Sequence, residues 1–245
     1  MEVKMAADLG QLKDLKLELT RFMMTYKFGL SELNTKIDIL KEEFQYIHDY
    51  NPIEHVKSRI KSPESILKKI YRKGYKPSLE AIQEHIQDIA GIRIICSFAS
   101  DIYKLSDMLQ NQKDITVLAC KDYIKDPKPN GYRSLHLILQ VPVFMSDRVE
   151  NVCVEIQIRT IGMDFWASLE HKIFYKYNKE VPQKLLNELK EAANSVTELD
   201  RKMENINKEI NYFKNTNVSK SKSQEIFIDN DSFYIPNEFL HHLIK

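Results

Sequence analysis

The chain has 245 residues, 43% hydrophobic and 29% charged, with a formal net charge of +1. That supplies one catalytic-size core with helical extensions, and no global charge that would make nucleic acid or membrane the main partner. No apolar run approaches the ~18 residues of a membrane span, and the charged N-terminus lacks the apolar stretch of a secretory signal.

Apolar positions recur at helical spacing over residues 8–28 (Leu12, Leu15, Leu19, Phe22) and 31–49 (Leu33, Ile37, Leu40, Phe44, Ile47). They predict two helices parted at Gly29, with Ser31 as N-cap of the second and Asn51-Pro52 ending it. Ser62-Pro63-Glu64-Ser65 opens a helix to about Lys73, and Ser78 caps a short one to about Gln87. Residues 91–98 read as a strand, 100–110 as a helix and 115–120 as a second strand. Residues 121–131 (KDYIKDPKPNG) form a loop, and 132–141 and 149–159 are strands joined by a turn. Helices follow from about Thr160 to Tyr177 and from Pro182 to about Tyr212. After Asn215 the chain is polar and read as a mobile tail, with a weak element near Phe239.

This order divides the chain into an N-terminal helical extension (1–50), a mixed αβ core (51–178), a C-terminal helix (179–214) and the tail (215–245). Cys96, Cys120 and Cys153 are odd in number, far apart and form no CxxC pair, so they read as reduced packing residues of a cytoplasmic protein.

Residues 152–160 (VCVEIQIRT) form a strand with two unlike faces. Val152, Val154, Ile156 and Ile158 suit a core. Cys153, Glu155, Gln157 and Arg159 put a carboxylate, an amide and a guanidinium about 6–7 Å apart on the other face. A polar site and a solvated outer face fit that pattern equally.

Arg59, Lys61, Lys68 and Lys69, with Ser62 and Ser65, gather cations and hydroxyls at a helix start, where a polyphosphate or plain solvent would be accommodated. Asp88, just before a core strand, and Glu155 are a candidate Mg²⁺ pair; a loop acid or cap is the other reading of Asp88. Arg93 lies among isoleucines and needs a partner or ligand. Its planar guanidinium, like that of Arg59, suits stacking on a purine. Tyr132 offers a ring for a base or for packing, and His136 a phosphate ligand or a satisfied strand histidine. Lys121, Lys125 and Lys128 either reach phosphates or solubilise the loop. Phe165, Trp166, Leu169 and Phe174 read as a packing stripe. His48-Asp49 has no further metal-spaced histidine nearby and is set aside.

Five motifs in this order resemble the RelA/SpoT synthetase family, especially stand-alone small alarmone synthetases of the RelQ type. They are Arg59-Ile60-Lys61-Ser62-Pro63-Glu64-Ser65-Ile66, Asp88-Ile89-Ala90-Gly91-Ile92-Arg93, Asn130-Gly131-Tyr132-Arg133-Ser134-Leu135-His136, Glu155-Ile156-Gln157-Ile158-Arg159-Thr160 and Phe165-Trp166-Ala167-Ser168-Leu169-Glu170-His171. The resemblance implies an α+β fold, a mixed β-sheet core of the nucleotidyltransferase-like type flanked by N- and C-terminal helices. It implies transfer of pyrophosphate from ATP to the 3′-hydroxyl of GDP or GTP, with GMP a further acceptor to test, giving the alarmones ppGpp and pppGpp of the bacterial stringent response.

By the same resemblance, Asp88 and Glu155 hold Mg²⁺, and Glu155 is a candidate for activating the 3′-hydroxyl. Arg59 and Arg93 sandwich adenine, while Lys61, Ser65 and Lys69 grip the ATP phosphates. Tyr132 stacks on guanine, and Lys121, Lys128, Arg133 and His136 face the acceptor. A homotetramer, synthesis without a hydrolase domain, and an RNA or alarmone effector are further implications. Two positions depart from the pattern. Lys121 stands where some relatives have Arg, losing bidentate phosphate contact. Asp164 stands where some have Asn, and an acid there would repel a phosphorylated effector. Another nucleotidyltransferase and a non-catalytic RNA-binding regulator are the alternative functions.

Overall fold

The computed structural model describes residues 2–48, 50–174, 181–217, 225–228 and 231–234. α1 (Glu2–Tyr46) is one continuous helix where the pattern predicted two. Gly29 marks a close approach: a Cβ there would lie 2.6 Å from Val152 Cγ1, so the missing side chain lets the helix press on the sheet. Ser31 is no cap, because its hydroxyl donates to Lys27 O one turn back at 3.1 Å. Tyr26, Leu30, Leu33 and Ile37 are buried along this contact, whereas Leu12, Leu15, Leu19 and Ile47 are exposed.

β1 (Ile53–Ile60) was not predicted. α2 (Pro63–Arg72) starts as expected, with Ser62 Oγ accepting from Ser65 N at 3.3 Å and Pro63 in the first turn. Ser78 likewise caps α3 (Leu79–His85). There follow β2 (Ala90–Cys96), α4 (Ala99–Gln110), β3 (Thr116–Asp122), β4 (Leu135–Phe144), β5 (Val149–Thr160), α5 (Ile161–Phe174) and α6 (Gln183–Asn217). Within the segment read as tail, β6 (Glu225–Ile228) and β7 (Asp231–Tyr234) pair antiparallel. Asp49 of the His48-Asp49 pair, the expected helix end at Tyr177 and the element near Phe239 lie outside the described residues.

The large sheet runs β1-β2-β5-β4-β3, with β2 and β5 parallel and the other neighbours antiparallel. Val152, Val154, Ile156 and Ile158 of β5 are at most 2% exposed, so the apolar half of its alternation faces the core. Ile92, Ile94, Leu137 and Leu139 join them there. Across the ladder, Lys57 pairs with Arg93, Arg93 with Gln157, Gln157 with His136, and His136 with Lys121. Directly opposed residues share a face. One polar row therefore crosses all five strands, and Arg59, Gly91 and Glu155 form the row beside it.

Cys96 is buried and Cys153 partly so, but Cys120 is exposed and is no packing residue. On α5, Trp166 packs and donates from Nε1 to Leu189 O of α6 at 3.1 Å. Phe165 and Leu169 are exposed, so the expected stripe only partly packs. No described helix is long and apolar enough to cross a membrane.

Candidate active site

β1, β2 and β5 form the floor of a cavity of about 170 Å³ lined by Lys57, Arg59, Gly91, Arg93, Glu155 and Gln157, among others. Gly91 leaves the middle of that floor bare: a Cβ there would find Glu155 O at 3.8 Å and Arg59 Cγ at 4.0 Å and nothing nearer. Arg59 and Arg93 both line this opening. Burial lowers the Arg93 pKa, and the nearby Arg159 guanidinium adds to this. Its Nη1 pairs with Asp164 Oδ1 at 3.1 Å.

Asp88 precedes β2 and directly precedes the fully buried Ile89 in sequence. Its Oδ2 accepts from Lys61 Nζ and, at 2.6 Å, from Lys69 Nζ. Burial opposes ionisation of Asp88, but the two lysines outweigh it and its pKa lies below the usual carboxylate range. Burial also lowers Lys61 despite this pairing, and the Lys69 and Arg59 charges add to the lowering. Asp88 Oδ1 is buried without a hydrogen-bond partner. A buried carboxylate oxygen of this kind fits a divalent cation. Among the described residues no group of three or more His, Cys, Asp or Glu is arranged to hold a metal. That donor set suits Mg²⁺, which binds through one or two carboxylates plus substrate phosphates and water. Ser65, on the first turn of α2, accepts from Ser62 Oγ at 2.9 Å between the oxygens.

Glu155 is held on both oxygens. Gln157 Nε2 donates to Oε2 at 2.9 Å, and His136 Nδ1 lies 3.3 Å from Oε1. Burial raises the Glu155 pKa, but these bonds more than compensate, so it lies below the usual value; the Asp88 charge acts against them. His136 Nε2 is 2.8 Å from Tyr132 Oη, which also accepts from Arg159 Nη2 at 2.5 Å.

Tyr132 lies in the loop before β4, not at a strand start. Gly131 precedes it at φ +92°, and Asn130 Oδ1 accepts from Tyr132 N at 3.1 Å, closing the turn. Lys128 Nζ sits over the Tyr132 ring, 4.6 Å from its centre, and 4.7 Å from that of Tyr123. Arg133 turns to the loop instead, Nη1 donating to Ile124 O at 2.8 Å, while its Nε is buried without a partner. Lys121 is exposed on β3 at the end of the polar row.

The site residues expected from sequence are thus brought onto one sheet face and its rim, with Arg133 on the loop behind Tyr132. Gln157 and Arg159 acquire places that sequence reading could not give them, and Asp164 acquires one it did not foresee. Gln157 and Arg159 tie Tyr132, His136 and Glu155 together, and Asp164 accepts from both Arg93 and Arg159, the latter at 3.1 Å. Asp164, read as facing an effector, is engaged by these two arginines. A guanidinium on the polar side of a core strand was the signal for Arg159; Gln157 on the same strand and Asp164 at the start of α5 are near it in sequence, while Tyr132 and Ser134 reach it from the loop before β4.

Residues 58–180 match the model of a region found in RelA/SpoT proteins. GTP pyrophosphokinase YwaC of Bacillus subtilis (strain 168) is 56% identical over 188 residues, 77% of this chain and 90% of that protein. The small alarmone synthetase 2 structure from Bacillus subtilis is similar at TM-score 0.69 and 55% identity, covering 76% of this chain and 96% of that one. Small alarmone synthetase 1 from the same organism, bound to its product pppGpp, gives TM-score 0.72 and 39% identity over 79% of this chain and 98% of that one. It has also been solved with AMPCPP. An α+β, nucleotidyltransferase-like sheet, a matched region spanning β1 to α5, and relatives of this identity and coverage agree: the chain belongs to the RelA/SpoT family.

Proposed function

We propose that the chain synthesises ppGpp and pppGpp, moving the β,γ-pyrophosphoryl group of ATP to the 3′-hydroxyl of GDP or GTP. The observation that carries this reading is Glu155, ionised and held on both oxygens beside a cavity flanked by Arg59 and Arg93. The 3′-oxygen attacks the β-phosphorus of ATP, the bond from that phosphorus to the α-bridging oxygen breaks, and AMP leaves. Glu155 takes the 3′-proton. Adenine lies between Arg59 and Arg93. Lys61, Ser65 and Lys69 at the start of α2 hold the transferred phosphates, where helix dipole and ammonium groups both favour anions.

Asp88 and Glu155 hold Mg²⁺, which when bound neutralises phosphate charge and polarises the reacting group. Guanine stacks on Tyr132 in the place taken here by Lys128, whose ammonium then joins Lys121 and His136 towards the acceptor, while Arg133 stays on the Ile124 carbonyl. Positioning and charge neutralisation carry most of the acceleration in such transfers. The catalytic core is residues 51–178, working in the cytoplasm. A homotetramer is part of the same reading, supported by apolar side chains left exposed along α6 (Leu199, Met203, Ile206, Ile210, Phe213); light scattering tests it.

The reaction is tested by incubating the protein with ATP, Mg²⁺ and, separately, GMP, GDP and GTP. A 3′-pyrophosphorylated guanosine nucleotide is expected with GDP or GTP, and its absence with every acceptor overturns the proposal.

A further inference from the structure

Arg159 is 4% exposed, and all three of its guanidinium nitrogens donate. Nε donates to Ser134 Oγ at 3.3 Å, Nη1 to Asp164 Oδ1 at 3.1 Å, and Nη2 to both Tyr132 Oη at 2.5 Å and Gln157 Oε1 at 2.8 Å. Arginine only donates. The Tyr132 hydroxyl must therefore accept from Arg159, which leaves its own proton for His136 Nε2. A neutral His136 then carries its proton on Nδ1, the nitrogen facing Glu155 Oε1. On the second branch, Arg159 binds the Gln157 carbonyl, which turns the Gln157 amide nitrogen to Glu155 Oε2. Both oxygens of Glu155 are thus oriented by chains that begin at one guanidinium nitrogen.

We infer that Arg159 is the positioning residue for Glu155, fixing the His136 tautomer and the Gln157 amide so that the carboxylate is aimed before substrate arrives. It acts through Tyr132, His136 and Gln157. The inference rests on the proposal that Glu155 activates the 3′-hydroxyl. Lysine is a poor replacement, because one ammonium cannot span Ser134, Asp164, Tyr132 and Gln157 from a planar fork.

The test has a substrate-free arm and a kinetic arm. In protein labelled with ¹⁵N-histidine at mildly alkaline pH, the His136 ring, assigned by its loss in His136→Asn, should report the Nδ1–H tautomer. In Arg159→Met it should shift to Nε2–H or a mixture. In the kinetic arm, Arg159→Met should lose kcat on the order of 10²-fold, the scale set by misplacing a catalytic group by about 1 Å. KM for ATP should stay within about threefold, and Arg159→Lys should not restore kcat. An unchanged tautomer in Arg159→Met overturns the inference, as does a changed tautomer with unchanged kcat or an effect confined to KM. Should Arg159→Met not fold, Tyr132→Phe cuts one chain while keeping the ring, and an unchanged His136 tautomer there overturns the inference equally. If the wild-type protein makes no product, the synthesis reading fails, while the tautomer comparison still decides whether Arg159 orders the site.

Discussion

Lys69 of α2 and Asp88 at the entrance to β2 meet with Nζ 2.6 Å from Oδ2, and Lys61 donates to the same oxygen. The arrangement leaves Asp88 Oδ1 as the buried, uncommitted atom of the cluster. Asp88→Asn keeps the shape but removes the charge that two partly buried ammonium groups share. We predict loss of turnover on the order of 10²-fold or more. Stability should fall by only about 1–3 kcal/mol, the scale for a lost charged partner. Turnover and urea denaturation measured on the same preparation check both; undiminished turnover removes Asp88 from the metal-binding pair.

Tyr132→Ala separates the two substrates. Base stacking on an aromatic contributes about 1–3 kcal/mol, so KM for the guanine nucleotide should rise roughly 5- to 150-fold, while KM for ATP moves far less. Steady-state kinetics with each substrate varied in turn gives the answer. An equal rise in both would mean that Tyr132 supports the site as a whole and stacks on neither base.

Gly131 holds Tyr132 in place from a positive φ of 92°, and a Cβ there would lie 2.6 Å from Ala193 Cβ on α6. Gly131→Ala meets both the left-handed backbone penalty, about 1–2 kcal/mol, and an overlap between two carbons. A stability loss of about 2–4 kcal/mol is expected from these together, with a raised KM for the guanine nucleotide. Chemical denaturation within about 0.5 kcal/mol of wild type would show that the turn relaxes freely.

Asp101, near the start of α4, accepts from Tyr50 Oη at 2.7 Å and from Phe98 N at 3.3 Å, both on Oδ2. Burial raises its pKa, with the Tyr50 bond and Lys104 opposing. A raised folded pKa means that the folded state binds the proton more tightly. Its stabilising contribution is therefore full below the unfolded value of about 3.9 and is lost as pH rises through the folded pKa. Asp101→Asn retains an oxygen for both donors without the buried charge. Relative to wild type it should be as stable or more so at neutral pH, and lose that advantage on acidification. Denaturation midpoints at acidic and neutral pH measure the difference, and an Asp101→Asn protein less stable at neutral pH contradicts it.

Much of this site was legible because strand alternation is local. Val154, Ile156 and Ile158 against Glu155, Gln157 and Arg159 gave the two faces of β5 from spacing alone, and the Ser62 and Ser78 caps gave two helix starts. β1 was missed because an edge strand with mostly exposed, charged residues (IEHVKSRI) carries little apolar signal. α1 was split because Gly29 and Ser31 look like a break, whereas a residue of β5 decides what Gly29 is for. Of the bonds converging on Arg159, those from 157 and 164 come from near neighbours in sequence, whereas those from 132 and 134 arrive only because β4 pairs with β5.

The central claim is pyrophosphoryl transfer, and the fate of ATP tests it most directly. With ATP labelled at the β-phosphorus, GTP and Mg²⁺, we predict AMP and a guanosine nucleotide carrying the label in a 3′-diphosphate, formed in equal amounts. Glu155→Gln should form neither while still binding an ATP analogue. Release of ADP with a 3′-monophosphate, or consumption of ATP without label reaching guanosine, would contradict the account.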